Sequence, residues 1–207
     1  MSLELSKYLN DVRKGADKFQ RIDINGKEDK TWRKKWLAKV VVALIAVGLL
    51  FLLRDGFDKD FVSFASTTLS ILIGLFITAV IFSFDKFYQP LDDDEEADAW
   101  KKLLNTQAYN YSKQFAYITG YNIILCVFTL VLLALSSLFP EASSIDIFSL
   151  EWKLEEIDCE AIILFAMASV FLFQRFFVLY WLLRIVYNTL FVVSSMVKFM
   201  IDKIDRQ

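Results

Sequence analysis

Residues 61–84 read FVSFASTTLSILIGLFITAVIFSF, without one charged side chain. As a helix at 1.5 Å per residue this run is about 36 Å long, enough for a hydrocarbon core of about 30 Å. Just before it, Trp36–Leu53 reads WLAKVVVALIAVGLLFLL, a second run of spanning length. Its one charge, Lys39, sits near an end, where a long side chain reaches the headgroups. Only Arg54–Asp60 separates the two, with Gly56 in the middle, which leaves room for a tight turn and nothing more.

A third run, Tyr117–Phe139, stops at Pro140, and a fourth begins at Ala161 and stays apolar past Leu183. Hydrophobic residues make up 56% of the 207, above the usual 45–50% of soluble domains, and the charges lie between the runs. The expected fold class is all-α integral membrane, with four transmembrane helices. The segments are 1–35, a cytoplasmic amphipathic helix and basic arm; 36–84, a hairpin of two spans; 85–139, a cytoplasmic helix continuous with the third span; 140–160, an acidic extracytoplasmic loop; and 161–207, a fourth span continuous with a cytoplasmic heptad helix.

Basic residues set the expected orientation. The arm to Lys35 holds ten Lys/Arg, residues 85–116 hold four and the tail from Arg184 holds four, against three (Arg54, Lys59 and Lys153) in the two opposite loops. Both termini of a multi-pass protein are therefore expected in the cytoplasm. The outer loops carry ten Asp/Glu, a net −7. Some thirty polar residues precede the first run, which is not the pattern of a cleavable signal peptide.

Two helices are expected to outrun the bilayer. The acidic run Asp92–Glu96 suits a helix start, and Ala97, Trp100, Leu104, Ala108, Tyr111, Phe115 and Ile118 recur at three- and four-residue spacing into the third span. One helix from about Asp93 to Phe139 follows. From Ala161 onward there is no Gly or Pro, and Leu179, Leu183, Val186, Leu190, Val193, Val197, Met200 and Ile204 alternate by four and three. That alternation is an oligomer or bundle seam. A turn at Arg184, making Ile185–Ile201 a fifth span, is the alternative. The arm itself reads as an amphipathic helix with Leu5, Leu9, Val12, Ala16 and Phe19 on one face, broken at Asn25-Gly26. The cluster Arg33, Lys34 and Lys35 between Trp32 and Trp36 is placed at lipid headgroups.

Two features stand out as functional candidates. Ser63, Thr67, Ser70, Gly74 and Thr78 form a stripe of small and hydroxylated residues at helical spacing. Such a stripe is either a close-packing face inside the bundle or the lining of a hydrated pore. Gln174-Arg175 is a strongly polar pair inside an apolar run. Arg175 falls about 21 Å along the helix from Ala161, so it either snorkels to the inner headgroups or serves an internal role.

Much chemistry is excluded within one chain. With no histidine, a His-based zinc site, a Ser-His-Asp triad and a Cys-His dyad are impossible. Cys126 and Cys159 are expected at different depths, too far apart for a disulfide. No phosphate-binding glycine loop and no metal-ligand spacing occur, so no catalytic residue, metal or cofactor is expected. The basic arm points to anionic lipid, with no direct nucleic acid binding.

The second span and its exit, SFASTTLSILIGLFITAVIFSFDKFYQP, resemble a segment of small prokaryotic four-span proteins of antiphage defence loci. The size, the four spans, the cytoplasmic termini and the helical extensions together resemble the membrane subunit of the Kiwa system. The resemblance implies a homo-oligomer, a tetramer by that likeness, which senses infection at the envelope and anchors a cytoplasmic effector protein. It implies a bacterial inner membrane and no catalytic residues here. The rival expectation is an ion channel or membrane-depolarising effector with the Ser/Thr stripe as pore lining.

Overall fold

The computed structural model describes residues 2–22, 26–27, 32–87, 99–143 and 159–204. The described chain is helical throughout: α1 (Ser2–Phe19), α2 (Trp32–Leu52), α3 (Lys59–Phe87), α4 (Ala99–Leu138), α5 (Pro140–Ser143) and α6 (Cys159–Ile204). Three of these are long and apolar enough to cross a membrane, over Lys59–Ser83, Asn105–Leu138 and Ile162–Lys198. The apolar part of α2, Trp36–Leu52, is shorter than these. Among the described residues there are therefore three helices of spanning length where four were expected.

Helix ends follow from local chemistry. α2 stops short of Gly56, whose positive φ of 89° suits a residue without a side chain. The Asp58 carboxylate then accepts from the Phe61 amide at 2.7 Å and caps α3. At Pro140 a missing N–H interrupts α4, yet the Ser143 amide donates to the Phe139 carbonyl at 2.9 Å, so α5 continues as one more turn. Nothing interrupts α6 through its 46 residues, and Arg184 lies inside it with no turn. The fifth-span alternative required a break there and does not hold. The proposed helix start at Asp92–Glu96 and the loop 144–158 lie outside the described residues.

The chain divides into two compact units. The first comprises Met1–Lys35, Leu72–Leu125 and Ile185–Gln207; the second comprises Trp36–Ile71 and Cys126–Arg184. In the first, α1 lies on α4. Gly15 sits against the Tyr117 ring, where a Cβ would collide, and Phe19 stacks on the same ring at 5.2 Å. The side of α1 that carries Val12, Ala16 and Phe19 thus meets protein. In the second unit, buried Ala46 and Leu50 of α2 pack with Leu179 of α6, flanked by Leu53, Phe57, Leu172 and Phe176. Small residues such as Ala46 let two helices approach closely, which is what holds helices together where the solvent is itself hydrocarbon.

Candidate functional site

Most buried polar side chains of the described residues are uncharged amides and hydroxyls on α4 and α6, and several of them pair across the two antiparallel helices. In the first unit, Asn188 Nδ2 donates to Asn122 Oδ1 at 2.8 Å, and Asn122 Nδ2 to Thr189 Oγ1 at 3.3 Å. Gln20, just beyond α1, donates to Asn188 Oδ1 at 2.9 Å and ties that helix into the same ladder. Gln114 Nε2 on α4 also donates to the carbonyl of Phe19, the last residue of α1, and to that of Ile22 just beyond it. Ser195 Oγ of α6 donates to Gln114 Oε1 at 2.7 Å.

In the second unit, Gln174 Nε2 donates to the Leu132 carbonyl and, at 2.6 Å, to Ser136 Oγ. The neighbouring Arg175 is 4% exposed. Its Nη1 donates to the Arg54 carbonyl at 2.7 Å and its Nη2 to the Ser143 carbonyl. Those carbonyls stand at the C-terminal ends of α2 and α5, where helix dipoles leave negative potential, so the guanidinium joins two helix ends through a third helix. Gly56 completes the cage. A Cβ there would meet the Ser143 carbonyl, and Arg175 Nη2 lies only 3.2 Å from that position.

The sequence leaves Arg175 either snorkelling to the inner headgroups or serving an internal role; the structure puts it beside the Arg54 and Ser143 carbonyls. It sits at the Arg54–Asp60 turn, buried. The reason is register: Gln174 meets Ser136 and Arg175 meets Ser143, so α6 lies further along α4 than equal span depths would put it. Hydropathy does not reveal this offset, because Ile162–Lys198 is apolar for 37 residues.

Most of the other sequence candidates fall on outer surfaces of the single chain. Ser63, Thr67, Ser70, Gly74 and Thr78 are all exposed, Ser70 and Thr78 bond back to their own helix at Ser66 and Gly74, and a Cβ on Gly74 would meet nothing within 4 Å. Among the described residues the stripe therefore has no packing partner at Gly74. Along the seam, Leu179 is buried and Leu183 half-buried, while Val186, Leu190, Val193, Val197 and Met200 are exposed. Its partner is not the chain's own α4; the face turned inward carries Ile185 and Asn188. The side chain of Ile204 and those of Arg33, Lys34 and Lys35, in the first turn of α2, lie outside the described residues. Cys126 is a buried free thiol.

The ladder itself escaped the sequence reading, although a signal exists. Gln174, Asn188 and Ser195 are fourteen and seven residues apart, one position of a heptad, and Asn122 and Ser136 are again fourteen apart. Polar residues recurring at one seam position are a known way to fix register between helices. Beside Gln174, α4 and α6 also leave an apolar groove of about 480 Å³ walled by Leu135, Phe139, Val170, Phe177 and Trp181. Among the described residues no three His, Cys, Asp or Glu gather as metal ligands. What the arrangement does chemically is hold helices in register; it presents no nucleophile beside a base.

No family model matches the chain, and no curated protein or solved structure is significantly similar to it.

Proposed function

We propose that the chain is a self-assembling sensor and scaffold of a bacterial inner membrane, with four spans and both termini in the cytoplasm. The observation that carries this reading is the length of α4 and α6, 40 and 46 unbroken residues whose polar side chains pair across the helices. At 1.5 Å per residue they measure about 60 and 69 Å, roughly twice a bilayer core. Rigid helices of that length carry a displacement at one membrane face to protein at the other. The exposed seam from Val186 to Met200 supports assembly, because an apolar helix face needs a partner outside lipid. In this reading α2 is the fourth span, short and close to the minimum that crosses.

The antiphage role, the cytoplasmic effector partner and the tetramer rest on the resemblance of residues 63–90 and of the overall plan to the Kiwa membrane subunit. Membrane lipid is the partner of the basic arm. The experiment is purification of the tagged full chain from its native host, with its neighbouring gene products expressed. A cytoplasmic protein retained in stoichiometric amount, together with loss of phage resistance on deletion, supports the scaffold. One observation favours the channel reading instead: the Ser/Thr stripe faces outward, where copies assembled through α3 would line a path with hydroxyls. A selective current from the purified protein, shifted by Ser70→Ala, would put the channel in place of the scaffold.

A further inference from the structure

In the second unit, Leu132, Leu135 and Phe139 face Val170, Phe177 and Trp181 across the groove of about 480 Å³. Leu135, Phe139, Val170 and Phe177 are exposed, so the groove opens outward. All but Phe139 belong to the spanning stretches Asn105–Leu138 and Ile162–Lys198, whose outward faces meet hydrocarbon in a membrane. From Val170 to Trp181 α6 rises about 16 Å, about half of a core of about 30 Å and so one leaflet. Arg175, next to the lining residue Gln174, fixes the level of the mouth. It holds the carbonyls of Arg54 and Ser143, and Ser143 is one turn past Phe139. Around these carbonyls Arg54, Asp55, Lys59 and Glu141 are exposed. Exposed charges do not lie in hydrocarbon, so the bilayer surface is at the Phe139–Val170 end and Trp181 is deep.

One lining group is polar. Gln174 is 7% exposed, and its Nε2 donates to the Leu132 carbonyl and to Ser136 Oγ. A carbonyl only accepts, so the carboxamide nitrogen must face it, and the place of Oε1 is fixed as well. Oε1 accepts no hydrogen bond from the described residues. A bare acceptor is costly in surroundings without water, and a donor that reached this one would be held there.

We infer that the groove binds a single-chain phospholipid: the acyl chain lies from Phe139 to Trp181, and the free glycerol hydroxyl donates to Gln174 Oε1. This rests on the reading of the chain as a membrane sensor and names a ligand for it to sense. Width, depth and chemistry choose this occupant. About 480 Å³ over about 16 Å leaves a section of about 30 Å². That suits one hydrocarbon chain, whereas a helix of a second copy, about 10 Å across, fills about 80 Å². The depth suits a lipid of the adjoining leaflet, with its head at the exposed charges and its chain end at the midplane. Those charges carry both signs, Arg54 and Lys59 beside Asp55 and Glu141, as a zwitterionic headgroup does. The donor must lie at the head end of the chain. There a diacyl phospholipid has two esters, which only accept, and hydrolysis of one of them leaves a hydroxyl.

The test uses the full chain in vesicles of phosphatidylethanolamine and phosphatidylglycerol, with Trp181 as reporter. Its fluorescence is the difference between the unaltered chain and Trp181→Phe. Lysophosphatidylcholine brominated at mid-chain should quench it at a several-fold lower mole fraction than diacyl phosphatidylcholine carrying the same brominated chain. Methylating the glycerol hydroxyl of the probe should weaken quenching about two- to tenfold, the worth of one neutral hydrogen bond. The ether tests that bond on the unaltered chain, and Gln174→Met should abolish the difference between hydroxyl and ether. Equal quenching by the hydroxyl and its ether in the unaltered chain overturns the inference. So does quenching by all three probes in simple proportion to mole fraction, which puts bulk lipid in the groove. So does a Trp181 that none of them reaches, which makes residues 144–158 or a second copy the cover and leaves the scaffold reading standing. A chain released from the vesicles by alkaline carbonate overturns both.

Discussion

The two units of this chain solve the same problem with different chemistry. In the first, α1, α4 and α6 meet through amides: Gln20, Asn188, Asn122 and Gln114 exchange hydrogen bonds with one another, with hydroxyls and with the carbonyl at the end of α1. In the second, apolar contacts dominate, and the polar work at the helix ends falls to one cation, Arg175, between two carbonyls. The first unit spreads its polar pairing over several neutral bonds, each worth about 0.5–1.5 kcal/mol net. The second has one such neutral pair, Gln174 with Ser136, and adds a charged group, Arg175, whose bonds are worth about 1.5–3 kcal/mol each. Loss of a single side chain should therefore damage the second unit more than the first.

The sharpest way to break that comparison is Arg175→Met. It keeps the length but leaves the Arg54 and Ser143 carbonyls without their donor, and about 2–4 kcal/mol of stability should go. Thermal unfolding in detergent should show a clear drop, with Arg175→Lys in between. A melting point unchanged in Arg175→Met would mean that the cation holds nothing.

Next in size is Gly15→Val. Its side chain would enter the space of the Tyr117 ring, so α1 must lift from α4, at a cost of about 1–3 kcal/mol. Limited proteolysis should cut between α1 and α2 faster in the variant while α4–α6 stays intact.

Asn188→Leu comes third, at about 1–3 kcal/mol, because Asn122 and Gln20 lose a partner in a buried place. Adding Asn122→Leu should cost much less than a second equal loss, since both ends of that bond are then apolar. Strict additivity in this double-mutant cycle would show that the ladder is not a coupled unit.

Gly74→Leu should have the smallest effect on the fold. A side chain there meets open space in the single chain, so unfolding should shift by a few tenths of a kcal/mol at most. Native mass spectrometry on the same variant sharpens the point: a lost oligomer with an intact monomer fold would place the α3 stripe between copies.

Much of the helical layout was legible. Long apolar runs marked the three helices of spanning length, and the lack of Gly or Pro after Ala161 foretold one uninterrupted α6. Axial register was not legible. Hydropathy reports composition along a helix and is nearly constant over Ile162–Lys198, so it cannot say which part of α6 lies beside Ser136. That is why the sequence leaves Arg175 two places. Its position depends on carbonyls of residues 54 and 143, far away in sequence, and a main-chain acceptor leaves no mark on residue type. The stripe on α3 shows the opposite limit. Spacing marked out a face but could not say what that face meets, and among the described residues a Cβ on Gly74 meets nothing within 4 Å.

The ladder of the first unit has one more consequence, for protonation. Gln20, Asn122, Asn188, Thr189, Gln114 and Ser195 carry no group that ionises in water, and the chain has no histidine anywhere. None of these bonds gains or loses a proton between pH 5 and 8, the interval in which histidine would switch. These hydrogen bonds between α1, α4 and α6 are therefore insensitive to pH across that interval, and charge changes elsewhere on the helices do not act through them.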